Sequence, residues 1–217
     1  MSGQGADWVD DVLELGTSTL YEASGLDCAM DTGIRPAWPR ARLCGSAFTV
    51  RCATGDNLAL HQALDHVTGG GVLVVQAGGL LAGYWGEVLT RAAQTRGVRG
   101  LVIDGGLRDV DALETLGFPA FSRGVSMLGT TKRSAGELGG PLVVGGVLVV
   151  PGSLILGDAD GVIAIPPDRI RDTLVAARER KAMEQGLIKR VRAGESTLDI
   201  YGLRGDGSRD GTGRLSR

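Results

Sequence analysis

The apolar residues of the chain follow patterns that predict an α/β fold. Residues 71–76 and 100–104 form two short, continuous apolar runs, as buried strands do. Between them, residues 87–96 carry apolar side chains at helical spacing and stop at Gly97, a frequent helix terminator. A strand, a helix and a strand in this order favour a right-handed crossover between parallel neighbours. The sequence therefore predicts a parallel βαβ core.

Further elements are predicted on both sides of this core. They are one or two helices within 7–24, a strand over 45–53, a helix capped by Asn57 and ending near His66, a glycine-rich loop over 77–86, a helix over 110–116, a short strand at 118–121, strand-rich stretches over 142–150 and 154–165, and a long final helix from Asp168 as N-cap to Arg192. Residues 205–217 hold one large apolar side chain, so we expect a disordered tail after a single domain over 1–204.

The composition excludes several classes of protein. With 43% hydrophobic and 22% charged residues, the chain is not disordered as a whole. A formal net charge of −2 gives no electrostatic reason to expect nucleic acid or an anionic membrane as partner. The three cysteines form no CxxC pair, and no apolar run reaches the length of a membrane span. We expect a soluble cytoplasmic protein with no disulfide framework.

The first candidate site follows the strand at 71–76. The loop after it is rich in glycine, and the amides of Val88 and Leu89 lie in the first turn of the next helix, where they have no partner within the helix. Free amides and the helix dipole favour a bound carboxylate or phosphate. The loop matches neither the dinucleotide-binding glycine motif nor a P-loop. Taken alone, it is also compatible with a purely structural role.

The second candidate site follows the strand at 100–104. Arg108 and Asp109 stand together after a glycine pair. An arginine can bind a carboxylate through two hydrogen bonds, and an aspartate can hold Mg²⁺, which keeps most of its water ligands. The simpler alternative is a surface ion pair in which Asp109 caps a helix. Because parallel strands place their carboxyl ends at one edge of a sheet, both sites together suit an oxo-acid that chelates a metal.

Several separated motifs resemble one family. They read GEVL at 86–89, RAAQTRGVRGLVIDGGLRD at 91–109, GDNL at 55–58, GFP at 117–119 and PGSLILGDADGVIAI at 151–165. In this order, over about residues 45–200, they resemble the class II, metal-dependent 4-hydroxy-4-methyl-2-oxoglutarate aldolases and their relative, regulator of ribonuclease activity A (RraA). The two branches of the family share most of these motifs.

The resemblance implies a fold and an assembly. The fold is the single-domain RraA-like swivelling β/β/α sandwich with a long C-terminal helix, and the assembly is a homotrimer or a dimer of trimers with sites between subunits. The implied cofactor is a divalent cation, Mg²⁺ or Mn²⁺, and the implied ligand is a small 2-oxo acid.

The resemblance also assigns residues. Asp109 matches the metal ligand and Arg108 the substrate-binding arginine, while Gly86 and the amides of Val88 and Leu89 match the turn that holds the pyruvate carboxylate. Glu87 matches an acid that reaches the metal through water. Glu184 is the best match for a glutamate given by a neighbouring subunit.

Glu179 is a weaker match for that glutamate. Two departures are visible: Gln76 replaces an expected aspartate, and Glu87 is longer than the aspartate of the best-studied aldolases.

The resemblance leaves two functions open. The first is an aldolase that cleaves 4-hydroxy-4-methyl-2-oxoglutarate or a similar acid to pyruvate through a metal-stabilised enolate, with oxaloacetate decarboxylation as a side activity. The second is a non-catalytic regulator that binds a ribonuclease or a helicase. Methyltransferase activity is attached to the family by name, but no motif here supports it.

Other polar and aromatic residues receive secondary roles. His61 and His66 are five apart and do not share a helical face as metal ligands would, so surface or packing roles are predicted. Asp104 is expected to orient Arg108 or to cap the turn. Arg123 is a candidate for a second cation in the cleft.

Overall fold

The computed structural model describes residues 7–67 and 69–204. The helices are α1 (Asp7–Leu15), α2 (Thr17–Ser24), α3 (Leu58–His66), α4 (Glu87–Thr95), α5 (Val110–Thr115), α6 (Ile170–Arg192) and α7 (Thr197–Ile200). The strands are β1 (Arg35–Pro36), β2 (Leu43–Arg51), β3 (Gly71–Gln76), β4 (Gly83–Trp85), β5 (Gly100–Leu107), β6 (Ala120–Val125), β7 (Glu137–Leu138), β8 (Leu142–Val144), β9 (Val147–Val149), β10 (Leu154–Gly157) and β11 (Val162–Ile165).

A mixed sheet forms the centre of the fold. Its strands run in the order β1, β6, β5, β3, β2, β10, β11, with β4 paired to β5 and β7 paired to β2. The neighbours β2, β3, β5 and β6 are parallel, while β1, β7, β10 and β11 attach antiparallel. The parallel pairing of β3 with β5 across α4 confirms the predicted βαβ core.

Strand β3 is buried on both faces, which explains its continuous apolar sequence. Leu73 and Val75 belong to the core cluster under α3 and α4, whereas Val72 and Val74 belong to the cluster covered by the β8–β9 hairpin. Side chains alternate between the faces of a strand, so a strand covered on both faces needs apolar residues at every position.

The structure changes three predicted elements around the glycines. The loop predicted over 77–86 contains β4. Strand β5 runs three residues beyond its predicted end, through Gly105 and Gly106, to Leu107. A Cβ on Gly106 would lie 2.5 Å from the carbonyl oxygen of Ala82, so the glycine is what lets the chain before β4 approach β5. Strand β6 likewise extends to Val125.

Both predicted side-chain caps differ in the structure. Asn57 precedes α3 but its side chain does not cap the helix; the peptide N–H of Leu58 donates instead to Asp56 Oδ1 over 2.9 Å. Asp168 lies inside a short 3-10 turn, Pro167–Arg169, and makes no capping bond. Cap signals in sequence identify the end of a helix better than they identify the side chain that binds there.

The chain divides into two compact units, the first ending at Ala177 and the second beginning at Arg178. The first holds the sheet. In the second, Glu195 forms an ion pair with Arg190, and the Ser196 hydroxyl accepts a hydrogen bond from the N–H of Leu198 at the start of α7.

The single domain over 1–204 stays a prediction, and the predicted tail lies outside the described residues. Among residues 7–67 and 69–204, no helix combines the length and apolarity needed to cross a bilayer.

Candidate active site

The parallel pair β4 and β5 brings the two predicted site segments together. Trp85 and Leu107 are register partners at the carboxyl ends of the two strands, and the N–H of Arg108 donates to the carbonyl of Trp85 over 2.9 Å. The 86–89 turn and the Arg108–Asp109 pair therefore leave the sheet side by side. Their adjacency is what the sequence predicted from strand order.

Gly86 is the point of closest approach between these segments. A Cβ at this position would lie 2.4 Å from Asp109 Oδ2 and 3.2 Å from Arg108 Cγ. The backbone of Gly86 is extended, with φ −165°, so space and not backbone conformation requires glycine here. Any larger residue would push the Asp109 carboxylate out of place.

Asp109 stands at the N-cap position of α5, but its side chain does not cap that helix. It adopts a left-handed conformation, with φ 58° and ψ 40°, and its side chain makes no capping bond to α5. Instead, Asp109 Oδ2 accepts a hydrogen bond from the peptide N–H of Glu87, at the start of α4, over 3.0 Å. A non-glycine residue in this region is uncommon, and such strain is concentrated at functional sites. The simple capping role considered for Asp109 is thereby wrong.

The Arg108–Asp109 pair and the 86–89 turn present groups that can bind a ligand. Arg108 Nε lies 3.8 Å from Asp109 Oδ2, and both side chains are about half exposed. The first hydrogen bond within α4 runs from the N–H of Thr90 to the carbonyl of Gly86, so the amides of Val88 and Leu89 precede it. A guanidinium and two helix-terminal amides thus flank one carboxylate.

These groups line a cleft of about 290 Å³. That volume is at the lower end of the range of small-molecule sites, about 300–1,000 Å³, and suits a small acid. The lining residues are Asn57, His61, Gly83, Tyr84, Trp85, Gly86, Val88, Leu89, Arg108, Asp109, Gly129, Thr130 and Lys132.

Sequence reasoning missed part of this cleft, namely Asn57, His61 and Lys132. His61 was expected to have a surface or packing role, and Lys132 carried no motif. His61 lies on α3, and Lys132 reaches the same cleft because the segment around residues 129–133 packs against the start of α3. The only available signal was the GDNL stretch at 55–58, which contains Asn57 but does not indicate what it faces.

Asp56 ties the 129–133 segment to α3. Its Oδ2 accepts hydrogen bonds from the Thr131 hydroxyl and the N–H of Arg133, both over 2.6 Å, and its Oδ1 accepts from Leu58. Burial alone would raise the pKa of this carboxyl, but these hydrogen bonds outweigh it and lower the pKa to about 2. Asp56 is therefore ionised and fixes two walls of the cleft to each other.

Two buried polar atoms in the cleft lining have no hydrogen-bond partner among the described residues. They are Oδ1 of Asn57, a side chain 6% exposed, and Nε2 of His61. Burial, followed by the nearby charge of Lys132, lowers the pKa of His61 below its usual value. Buried polar atoms are normally paired, and two unpaired ones in one cleft point to a ligand.

Comparison with known proteins decides the family. The RraA-like model, described as Aldolase/RraA, matches residues 11–164. The chain belongs to the RraA-like family. It is 33% identical over 186 residues to a Halalkalibacterium halodurans protein named "Putative 4-hydroxy-4-methyl-2-oxoglutarate aldolase", covering 85% of this chain and 89% of that protein.

Two solved structures of the RraA-like family are similar to this one. The RNA-processing inhibitor RraA from Thermus thermophilis aligns with a TM-score of 0.59 and 32% identity, covering 64% of this chain and 84% of its own. An unusual member of the RNase ES inhibitor RraA protein family from Streptomyces coelicolor aligns with a TM-score of 0.74 and 26% identity, covering 85% and 98%. The predicted RraA-like α/β fold is confirmed.

The acids assigned by resemblance occupy different surroundings. Glu87 begins α4, but its carboxylate forms an ion pair with Arg91 one turn later, with Nη2 2.7 Å from Oε1. Glu184 lies on α6 in the second unit and pairs with Arg180 over 3.0 Å. Glu179 lies on the same helix and is exposed. The roles of Glu87, Glu184 and Glu179 stay predictions.

Asp104 and Arg123 do not take the roles expected of them. Arg123 lies within β6 and donates hydrogen bonds to Asp104 and Asp31, and Asp104 also accepts from the N–H of Gly145 over 2.9 Å. Asp104 therefore neither orients Arg108 nor caps the turn, and neither residue lines the cleft. Strand β5 continues past Asp104 to Leu107, so Asp104 lies within the strand and not at the end of the strand that carries Arg108 and Asp109.

The side chain of Trp85 and those of the three cysteines are buried in the core. Trp85 is fully buried, stacks on Phe118 at a centroid distance of 5.9 Å, and donates its indole N–H to the Thr90 hydroxyl over 2.8 Å. The three cysteines are buried and free, and burial raises the pKa of the Cys44 and Cys52 thiols to about 12. Gln76, at the position of the expected aspartate, accepts a hydrogen bond from Arg51.

The Asp109 carboxylate is a suitable ligand for a hard divalent cation that binds few protein groups and keeps several water ligands. No group of three or more His, Cys, Asp or Glu side chains suited to a metal occurs among residues 7–67 and 69–204. Zinc sites need such a group, whereas Mg²⁺ is commonly held by one or two carboxylates and several waters. The half-exposed Asp109 carboxylate is compatible with the latter.

Proposed function

We propose that this protein is a divalent-metal-dependent lyase that cleaves 4-hydroxy-4-methyl-2-oxoglutarate or a similar 4-hydroxy-2-oxo acid to release pyruvate. Oxaloacetate, which yields the same enolate on losing CO₂, is a second substrate. The observation that carries the proposal is the convergence of Arg108, Asp109 and the first turn of α4 on one small cleft. The similarity to a protein named as an aldolase of this type supports it.

The reaction divides the substrate between C3 and C4. The C4 hydroxyl loses its proton, the C3–C4 bond breaks, and C4 becomes a carbonyl while the electron pair forms the pyruvate enolate. A proton then adds to C3. The charge that develops on the enolate oxygen is what a preorganised site must stabilise.

Arg108 and the amides of Val88 and Leu89 hold the pyruvate half. The guanidinium and the helix N-terminus are both complementary to a carboxylate. Fixing the carboxylate at one end orients the C3–C4 bond and prevents rotation before cleavage. Gly86 supports this arrangement because it leaves room for Asp109 beside the turn.

Asp109 is the residue that would hold Mg²⁺ or Mn²⁺. When bound there, the cation supplies a Lewis acid for the enolate oxygen, so no Schiff-base lysine is needed. The hydrogen bond from Glu87 N–H orients the Asp109 carboxylate. Glu87 is the candidate for proton transfer, and it must leave Arg91 to act.

The proposed assembly is a cytoplasmic homotrimer or dimer of trimers. In this arrangement, Glu184 of one subunit completes the site of its neighbour. Val125 at the end of β6, and Met127 and Leu128 just beyond it, are exposed apolar side chains that support burial of this region against another molecule.

A regulator without catalytic activity is the second candidate. Two observations favour it: the similarity to an RNA-processing inhibitor, and the ion pair that engages the Glu87 carboxylate. A regulator needs a protein surface and makes no use of a metal at Asp109.

A pyruvate-coupled assay separates the two candidates. The protein is supplied with 4-hydroxy-4-methyl-2-oxoglutarate or oxaloacetate, with Mg²⁺ or Mn²⁺, and then with a chelator. Pyruvate release that stops on chelation and returns with metal is expected for the lyase. No release with either acid, together with capture of a purified ribonuclease, contradicts the lyase and supports the regulator.

A further inference from the structure

The amides of Val88 and Leu89 are not held by a side chain at the N-cap of α4. The N-cap residue is Gly86, which has no side chain to offer them. Leu89 packs in the core, but the Val88 side chain is 78% exposed and does not fix its own peptide group. The orientation of these amides therefore depends on contacts made by the residues around the turn.

Two hydrogen bonds to Thr90 close the turn on its core side. Trp85, the last residue of β4, donates its indole N–H to the Thr90 hydroxyl over 2.8 Å. The peptide N–H of Thr90 donates to the carbonyl of Gly86 over 3.0 Å. The first bond joins the two residues that flank the 86–89 turn, so the turn cannot open without breaking it.

The Trp85 ring is itself fixed by the segment that carries the charged pair. It stacks on Phe118, with an angle of 12° between the ring planes, and the carbonyl of Trp85 accepts from the N–H of Arg108 over 2.9 Å. Trp85 and Thr90 are both fully buried, so water cannot replace either partner of their bond. A buried donor that loses its acceptor is costly, and the bond is therefore a rigid link between the turn and the Arg108 segment.

Helix formation alone does not account for a threonine at position 90. Alanine forms helices better than threonine, and a hydroxyl in a fully buried place is unfavourable unless it is paired. The Thr90 side chain does not line the cleft, so it makes no contact with a ligand there. Its hydroxyl serves as the acceptor for the Trp85 indole.

From these contacts, and on the basis of the proposed function, we infer that Thr90 is a positioning residue of the carboxylate site. Its hydroxyl, bound to the Trp85 indole, fixes the first turn of α4 relative to the end of β4. The amides of Val88 and Leu89 are thereby oriented toward the cleft before a ligand arrives, and such preorganisation favours binding.

The first test measures the Kd of pyruvate in the presence of Mg²⁺ by isothermal titration calorimetry. Thr90→Val keeps the shape of the side chain and removes the acceptor, so it should weaken binding about tenfold. Thr90→Ser keeps the hydroxyl and should restore a Kd near that of the wild type. A wild-type Kd in Thr90→Val overturns the inference.

Thr49→Val is the matched control. Thr49 lies on β2, is fully buried, and its hydroxyl has no hydrogen-bond partner among the described residues. Its substitution should leave the Kd of pyruvate unchanged. A purely structural role of Thr90 would lower the Tm of Thr90→Val and leave its Kd unchanged, and that result also overturns the inference.

The second test reaches the same bond from its donor. Trp85→Phe keeps an aromatic ring beside Phe118 but removes the indole N–H, so it should also weaken pyruvate binding about tenfold, even if Thr90→Val does not fold. Because both substitutions remove one bond, the double variant should bind about as weakly as either single variant. Additive losses, about a hundredfold in the double variant, overturn the inference.

These measurements also separate the inference from the proposed function. If the wild type binds pyruvate but cleaves neither acid, the lyase fails, and a weaker Kd in Thr90→Val still supports the inference. If both acids are cleaved with metal and Thr90→Val has the wild-type Kd, the lyase stands and the inference fails. A wild type that binds no pyruvate overturns the inference as well.

Discussion

The peptide N–H of Glu87 donates a hydrogen bond to Oδ2 of Asp109 over 3.0 Å. The candidate metal ligand is thereby fixed to the same helix turn whose next two amides are the candidate carboxylate site. The bond crosses between the ends of β4 and β5, so it exists only because those strands pair in parallel. A change on either side of it is expected to disturb both parts of the site.

Gly86→Ala should damage this relationship while preserving the fold. The added methyl group would meet the Asp109 carboxylate at 2.4 Å and displace it. A misplacement of about 1 Å costs on the order of 10²-fold in rate, so we expect a loss of that size in kcat/KM for pyruvate release. Gly140→Ala, where a Cβ meets nothing within 4 Å, is the control. Wild-type kcat/KM in Gly86→Ala would contradict the proposed geometry.

Asp109→Ala should abolish metal-dependent pyruvate release. Among the described residues, Asp109 contributes the only carboxylate to the cleft lining. Its removal should abolish the binding of Mn²⁺, which electron paramagnetic resonance can follow. Asp111→Ala, two residues further on the exposed face of α5, should keep both activity and Mn²⁺ binding. Equal Mn²⁺ affinity in Asp109→Ala and the wild type would remove Asp109 from the metal site.

Asp56→Asn should destabilise the protein at neutral pH and change its acid unfolding. The folded-state pKa of Asp56, about 2, is below the unfolded value of about 3.9, so the unfolded chain binds more protons between these values. The stabilisation is therefore complete above about pH 5 and is lost as the pH falls toward 2.

Thermal unfolding between pH 7 and pH 2 checks this difference. The Tm gap between the wild type and Asp56→Asn should be largest at neutral pH and should narrow on acidification, while the exposed Asp10→Asn should show no gap. A Tm gap that widens on acidification would contradict a folded-state pKa of Asp56 below the unfolded value.

Phe118→Ala should strongly destabilise the fold. Phe118 is 2% exposed and stacks on Trp85, the residue before the 86–89 turn. Removing a buried aromatic side chain costs about 3–5 kcal/mol in the free energy of unfolding, measurable by urea denaturation. Leu148→Ala, at a side chain 64% exposed, should change it by less than about 0.5 kcal/mol. A Phe118→Ala variant as stable as the wild type would contradict the packing described here.

The local sequence was sufficient for the elements whose own residues decide their form. Strand β3 has its predicted bounds because its apolar residues are buried on both faces, and α4 begins at the predicted Glu87. The adjacency of the 86–89 turn to Arg108 and Asp109 also followed from sequence, since alternating strands and helices imply parallel strands with a common edge.

The tertiary structure decided everything that depends on residues distant in the chain. Asp104 and Arg108 are close in sequence, yet Asp104 binds Arg123 and Gly145, which come from other parts of the fold. Lys132 reaches the cleft because Asp56, more than seventy residues earlier, holds its neighbours. Periodicity reports which face of an element is buried, but it carries no information about which distant side chain satisfies a given hydrogen bond. The sequence by itself therefore determined the βαβ core and the side of the cleft formed by the 86–89 turn, Arg108 and Asp109. Only the packing of distant segments decided the opposite wall of the cleft.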